Sequence, residues 1–177
     1  MSEGKITCSD QDILKEGAAV LAREAEALSR LAESLDDSFF RAVDLFLHIR
    51  GRVAVTGMGK SGHVARKAAA TFSSTGTPAY FIHPAEAGHG DLGMLSPKDA
   101  VLAYSNSGET EELTSILTFC ARHEIPVVGV TKNPGSFLSA RSAVTLTLPN
   151  LPEACPIGCA PTTSTTMMMA LGDALAL

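Results

Sequence analysis

Short β-branched runs alternating with amphipathic helical stretches predict an α/β fold: a five-stranded parallel sheet flanked by helices on both faces. Two further observations point the same way. The clearest strand-like runs end in Gly- or Ser-rich corners that lead straight into helical patterns, as βα units do. The aromatic share is only 5% and Trp is absent, so the interior must be built from Ala, Val, Leu, Ile and Met, which lets helices pack closely on a sheet.

The elements follow in order. From Asp10 to about Ser34, Leu14, Ala18, Leu21, Ala25, Leu28, Leu31 and Leu35 recur at helical spacing, with Glu16, Arg23, Glu24, Arg30 and Glu33 mostly on the other face. Asp36 or Asp37 can cap a second helix whose apolar side is Phe39, Phe40, Val43, Phe46 and Leu47, ending near Gly51. Arg52 to Thr56 reads as the first strand, and a helix runs from near Ser61 through Phe72 until Gly76 closes it. Pro78 to Ile82 is the second strand, followed by a Gly- and Pro-rich loop from His83 to Pro97. Asp99 to Tyr104 is the third strand. The next helix starts near Glu109 and buries Leu113, Ile116, Leu117 and Cys120. Pro126 to Val130 and Ala143 to Leu148 are the fourth and fifth strands. After a loop from Pro149 to Pro161, a helix from Thr162 to Leu177 ends inside an apolar stretch, so the natural chain is expected to continue.

The totals bound the function. The 177 residues suffice for one domain with a sizeable core. Formal net charge is −5, and no Lys/Arg cluster is large enough to neutralise a nucleic-acid backbone. A net negative chain still binds an anion wherever a local cradle of N–H groups and hydroxyls is built. Cys8, Cys120, Cys155 and Cys159 match no zinc spacing, and Cys155 and Cys159 read as small buried or loop residues rather than a redox pair. The polar start, Met1 to Asp12, has no apolar signal region, and no apolar run is long enough to span a bilayer. A cytoplasmic location with reduced thiols is expected.

Ligands of open parallel sheets sit at the carboxyl ends of strands, and two corners there are rich in chemistry. Gly57-Met58-Gly59-Lys60-Ser61-Gly62-His63 follows the first strand. Its glycines let backbone approach a ligand, its helix start offers unpaired N–H groups, Ser61 adds a hydroxyl and Lys60 a point charge. It also reads as a plain tight turn with a solvated lysine. It is not a Walker A loop, since Ala54 stands where the first Gly of GxxxxGK[ST] belongs. The second corner is Ser105-Asn106-Ser107-Gly108-Glu109-Thr110. It reads as a phosphate nest or as an ordinary helix cap by Ser107, and its polar groups outnumber what a cap needs. Between the corners lie His83, Glu86, His89 and Asp91 in a Gly-rich loop whose spacing fits no family of metal sites. Near the end, Glu153 precedes a hydroxyl run, Thr162, Thr163, Ser164, Thr165 and Thr166, which caps a helix or adds to an anion site.

These residues resemble the SIS (sugar isomerase) family, whose signature includes an S-x-S-G-x-T corner, here Ser105, Ser107, Gly108 and Thr110. GMGKSGH from Gly57, STGTPAYFIHPAEAGHGDLGML from Ser74, SNSGETEEL from Ser105 and EACPIGCAPTTSTT from Glu153 are similar to the arabinose-5-phosphate isomerases among them, over about Asp10 to Leu177. Those enzymes serve the pathway to Kdo, a sugar of Gram-negative lipopolysaccharide. The resemblance implies a three-layer SIS fold forming dimers or tetramers, and a cis-enediol isomerisation of ribulose 5-phosphate and arabinose 5-phosphate without metal or organic cofactor. It implies Ser105, Asn106, Ser107 and Thr110, with Gly59 and Ser61, as phosphate ligands, and Thr162, Thr163 and Ser164 as further substrate contacts. Lys60, His89, Glu112 and Glu153 match polar active-site positions. Full-length relatives carry a tandem CBS pair after this domain and place a histidine from beyond the last helix in a neighbouring subunit's site; the whole chain is expected to be one SIS domain ending before both. A non-catalytic phosphosugar sensor and an isomerase of another sugar phosphate are the competing readings.

Overall fold

The computed structural model describes residues 9–177; Cys8 and the rest of the polar start lie outside the described residues. Helix α1 (Asp10–Glu33) opens with a capping box: Ser9 Oγ accepts from the Asp12 N–H at 3.2 Å while the Asp12 carboxylate accepts from the Ser9 N–H at 3.3 Å. Helix α2 (Asp37–His48) is capped by Asp36, whose carboxylate accepts from the Ser38 N–H at 2.8 Å. Then come β1 (Val53–Gly57), α3 (Lys60–Ser74), β2 (Ala79–Phe81) and a four-residue helix α4 (Pro84–Ala87). A 3-10 turn at Asp91–Met94 leads to β3 (Ala100–Tyr104). A second 3-10 turn, Glu111–Leu113, runs into α5 (Thr114–Arg122). The chain closes with β4 (Val127–Thr131), α6 (Phe137–Ala140), β5 (Val144–Thr147) and α7 (Thr163–Ala176).

All five strands are parallel, in the order β2-β1-β3-β4-β5. Successive side chains point to opposite faces, and the sheet is covered on both. Val53, Val55, Leu102, Tyr104, Val128 and Val130 pack under α1, α2, α3 and α7. Ala54, Val101, Ala103 and Val127 face the other way, toward α5 and α6. Strands β1, β3 and β4 are buried along their whole length, which is why they read as continuous apolar runs rather than alternating ones. No helix among the described residues is long and apolar enough to cross a membrane.

Four expectations need correction. The loop from His83 to Pro97 contains α4 and a 3-10 turn. Helix α6 stands where no element was expected; its four residues are too few to show a period. The helix expected from Glu109 begins only at Glu111, and as 3-10 geometry, because Ser105 to Thr110 folds into a loop of its own. The apolar stripe of α1 is also buried only near its end, at Ala27 and Leu31, while Leu14 and Leu21 are 74% and 69% exposed. Periodicity tells which residues share a face, not how much of it is covered. Phe40 and Leu47 of α2 are exposed for the same reason, and that helix buries Ala42 and Phe46.

Candidate functional site

The strand order puts a reversal between β1 and β3. From β1 the chain crosses through α3 to β2 on one side; from β3 it crosses through α5 to β4 on the other. The two crossover helices lie on opposite faces of the sheet, so a crevice opens where the chain diverges. Gly57 pairs with Tyr104 across that boundary. The Gly59–Ser61 and Ser105–Thr110 corners therefore leave neighbouring strands side by side at one edge of the sheet.

The first corner is as tight as its glycines imply. A Cβ on Gly57 would stand 2.9 Å from the Ser61 carbonyl and one on Gly62 2.6 Å from the Gly57 oxygen. Gly59 sits at φ +58 with open space around it. No side chain caps α3, and the N–H groups of Lys60 and Ser61 find no acceptor among the described residues. An uncapped helix start with exposed N–H donors is suited to an anion. Ser61 Oγ lies 3.8 Å from Met168 Sδ, so it borders α7 as well.

The second corner is a self-braced loop. Ser105, 2% exposed, turns its hydroxyl inward to accept from the Gly108 N–H at 3.0 Å and to pair with Thr110 Oγ1 at 2.7 Å. Ser107 Oγ accepts from the Glu109 N–H at 3.1 Å but the residue remains exposed. These are turn bonds, not the helix cap that one reading offered. The Ser107 and Thr110 N–H groups have no acceptor among the described residues. Gly108 is obligatory: its φ is +74, and a Cβ would collide with Ser136. Asn106 is tied through its carbonyl, which accepts from the Lys132 N–H at 3.1 Å and from Thr131 Oγ1 at 3.2 Å. The Glu109 carboxylate accepts from the Phe137 N–H at 3.1 Å, bracing the loop against α6.

The third piece is the start of α7, on the far side of α3. Its cap comes from Glu153, nine positions before Thr162. Glu153 Oε2 accepts from the Thr162 N–H at 2.7 Å, the Ser164 N–H at 3.2 Å and Thr162 Oγ1 at 3.2 Å. Partial burial pushes this carboxyl up, but the hydrogen bonds from Ser164 and Thr162 outweigh it and hold the group below the usual glutamate range. Thr162 Oγ1 accepts in turn from the Ala154 N–H at 2.9 Å, and Arg23 of α1 reaches the Ala154 carbonyl at 3.2 Å. Thr163 and Ser164 are buried, and Thr163 Oγ1 has no partner among the described residues. Cys155 is half-buried and Cys159 exposed in the same loop, while Cys120 lies on the buried face of α5.

Lys60, His89 and Glu112 are exposed and make no ion pair among the described residues. Lys60 and His63 share a 220 Å³ pocket with Thr165 and Met169 of α7, so the first and third pieces border one space. His89 follows α4, which packs on the Glu111–Leu113 turn and on α5; a methyl on Gly88 would stand 3.6 Å from Ser115 Oγ. His89 and Glu112 thus belong to adjoining turns. Lys132, one residue past β4 and hydrogen-bonded to the Asn106 carbonyl, is a cation near this edge that motif reading passed over; its position directly after a strand end was the available signal. A larger cavity, about 660 Å³, lies between α1, α2 and β5. The helix start there is already capped by the Asp36 carboxylate, which would repel an anion, so the open α3 start at the sheet edge is the better candidate.

Comparison with known proteins bears on the fold and the family. Residues 46–177 match the SIS domain family. The chain is 46% identical over 166 residues to the arabinose 5-phosphate isomerase KdsD of Escherichia coli K12, covering 94% of this chain and 51% of that protein. It is 49% identical over 157 residues to KdsD of Francisella tularensis, covering 87% and 48%. The chain spans about half the length of the curated relatives it matches. Among solved structures, c3406 of E. coli CFT073 in complex with arabinose 5-phosphate superposes with a TM-score of 0.92 at 35% identity, covering 96% of this chain and 90% of that one. With the family model matched over residues 46–177 and a solved structure superposing over 96% of its length, the chain belongs to the SIS domain family.

Proposed function

We propose that this chain is the isomerase domain of an enzyme interconverting D-ribulose 5-phosphate and D-arabinose 5-phosphate through a cis-enediol, serving Kdo and lipopolysaccharide synthesis in the cytoplasm. The observation that carries the reading is the uncapped start of α3 lying beside the Ser105–Thr110 loop at the sheet's reversal point. The names of the relatives supply the substrate.

The phosphate is held by N–H groups and hydroxyls of Asn106, Ser107 and Thr110, with Gly59 and Ser61 opposite, in a loop that the buried Ser105 shapes through its bonds to Gly108 and Thr110. Thr162, Thr163 and Ser164 line the sugar end. Anchoring the phosphate away from the reacting carbons lets remote binding energy orient C1 and C2. Lys60 stabilises the developing oxyanion. Of the two carboxylates, Glu153 is committed to the α7 start and held ionised, which weakens it as a base. Glu112 is unengaged, and it moves the proton between the carbons with His89 assisting at O1 and O2. Such a proton transfer asks for no metal or organic cofactor in principle.

Self-association into a dimer or tetramer is part of the same reading. Ile13, Leu14 and Leu21 of α1 and Phe40 and Leu47 of α2 are apolar and exposed, more than scattered surface residues account for. Light scattering that finds a monomer at micromolar concentration would remove this part.

The deciding experiment is incubation with ribulose 5-phosphate and separation of the aldopentose phosphates formed. Arabinose 5-phosphate supports the proposal. Ribose 5-phosphate alone points instead to another isomerase, and binding without turnover by a chain that carries the downstream histidine points to a sensor module.

A further inference from the structure

Below the site, two turns down α3, lies a polar cluster that the proposed chemistry does not use. Lys67 of α3 and Asp173 of α7 form a hydrogen-bonded ion pair. Thr71 Oγ1 lies 3.2 Å from the same carboxylate oxygen and 3.2 Å from the Lys67 carbonyl. Beneath the pair is Tyr104, the last residue of β3, fully buried and with no hydrogen-bond partner for its hydroxyl among the described residues. A methyl on the neighbouring Gly172 would stand 2.7 Å from that hydroxyl and 3.2 Å from Ala68 Cβ. Burial, with the Asp173 charge added, pushes the Tyr104 phenol well above its ordinary range and keeps it neutral.

The cluster joins the elements that carry all three pieces of the site. Tyr104 leads directly into Ser105. Lys67 shares the α3 face that presents Lys60, two turns away. Asp173 belongs to the helix that Thr162, Thr163 and Ser164 begin. Helices α3 and α7 make their most extensive helix–helix contact with one another, and small residues, Ala65, Ala68 and Gly172, bring them close. Both start at the site and run parallel, so their positive ends converge there. The Glu153 carboxylate already offsets the α7 end, so the open α3 end is the one that favours an anion. Smooth contacts between small residues do little to fix one helix lengthwise on the other. A directional ion pair braced by Thr71 does fix it. Partly exposed, at 39% for each side chain, the pair adds little to global stability.

We propose that Lys67 and Asp173 are positioning residues: their ion pair, seated over Tyr104, sets the register of α3 against α7 and so the spacing of Lys60 and Ser61 from Thr162 to Ser164 across the site. The register claim stands by itself; its effect on rate rests on the isomerase reading above.

The test compares Lys67→Met, Asp173→Asn and the charge-keeping Lys67→Arg with the parent. In ligand-free protein, backbone amide NMR should show the Met and Asn variants shifting Gly59–Ser61 and Thr162–Ser164, with Lys67→Arg close to the parent. Shifts confined to within a turn of the substitution overturn the proposal. On ribulose 5-phosphate, the Met and Asn variants should lose about tenfold in kcat, as small misplacements do, with KM changed less than about twofold and Lys67→Arg within about threefold of the parent. Unchanged kcat alongside a lowered melting temperature marks the pair as structural only and overturns the proposal. A parent without turnover removes the rate arm, and the amide shifts then decide the register claim alone. Should Asp173→Asn fail to fold, Lys67→Met carries both arms.

Discussion

At the scale of single residues, the site depends on where N–H groups are already satisfied and where they are open. Glu153 fills one helix start and leaves the α3 start open. Because its carboxyl is held below the usual glutamate range, its contribution to stability is fully present above the unfolded-state pKa. That contribution is lost as pH falls through the folded value. Glu153→Gln should therefore cost about 1 kcal/mol at neutral pH, as lost helix caps do. It should also flatten the fall in melting temperature between about pH 5 and pH 3, the carboxylate range, as followed by thermal denaturation at each pH. An equally steep fall would show that the carboxylate is not what holds α7. This residue also marks how far sequence reading goes. The Ser105–Thr110 corner was legible because its parts are contiguous and its glycine explicit. Glu153 was singled out by resemblance alone, since its bonds to Thr162 and Ser164 exist only once the intervening loop folds back.

At the scale of elements, β1, β3 and β4 were the most legible features, because burial on both faces leaves unbroken apolar runs. Helix starts were less so. The loop at Ser105–Thr110 displaces α5 to Thr114, and only its internal bonds, Ser105 to Gly108 and Thr110, reveal why. Helix α6 is held from outside by the Glu109 carboxylate on the Phe137 N–H, a contact across twenty-eight positions that no local pattern records. The packing of α7 on α3 and β3 supplies the element-scale prediction. Gly172→Ala places a methyl 2.7 Å from the Tyr104 hydroxyl, in a helix interior where alanine is otherwise the better former. Overpacking should outweigh propensity and destabilise the protein by about 1–3 kcal/mol, measured by denaturant unfolding. A melting temperature equal to or above the parent's would mean that α7 is free to move outward.

At the scale of the whole molecule, one reversal in strand order puts two separately ordinary corners at the ends of neighbouring strands, and the proposed function rests on that placement. The alternation of elements made a parallel sheet legible in the sequence, but the strand order that places β1 beside β3 is a tertiary fact, and so is the larger cavity between α1, α2 and β5. The choice between the sheet-edge corners and that cavity gives the account its sharpest test, a titration with arabinose 5-phosphate followed by backbone amide NMR. The account predicts saturable shifts concentrated at Gly57–Gly62, Ser105–Thr110 and Thr162–Ser164. Shifts centred instead on Ser34, Ser38 and Thr145–Leu151 would place the ligand in the larger cavity and contradict it.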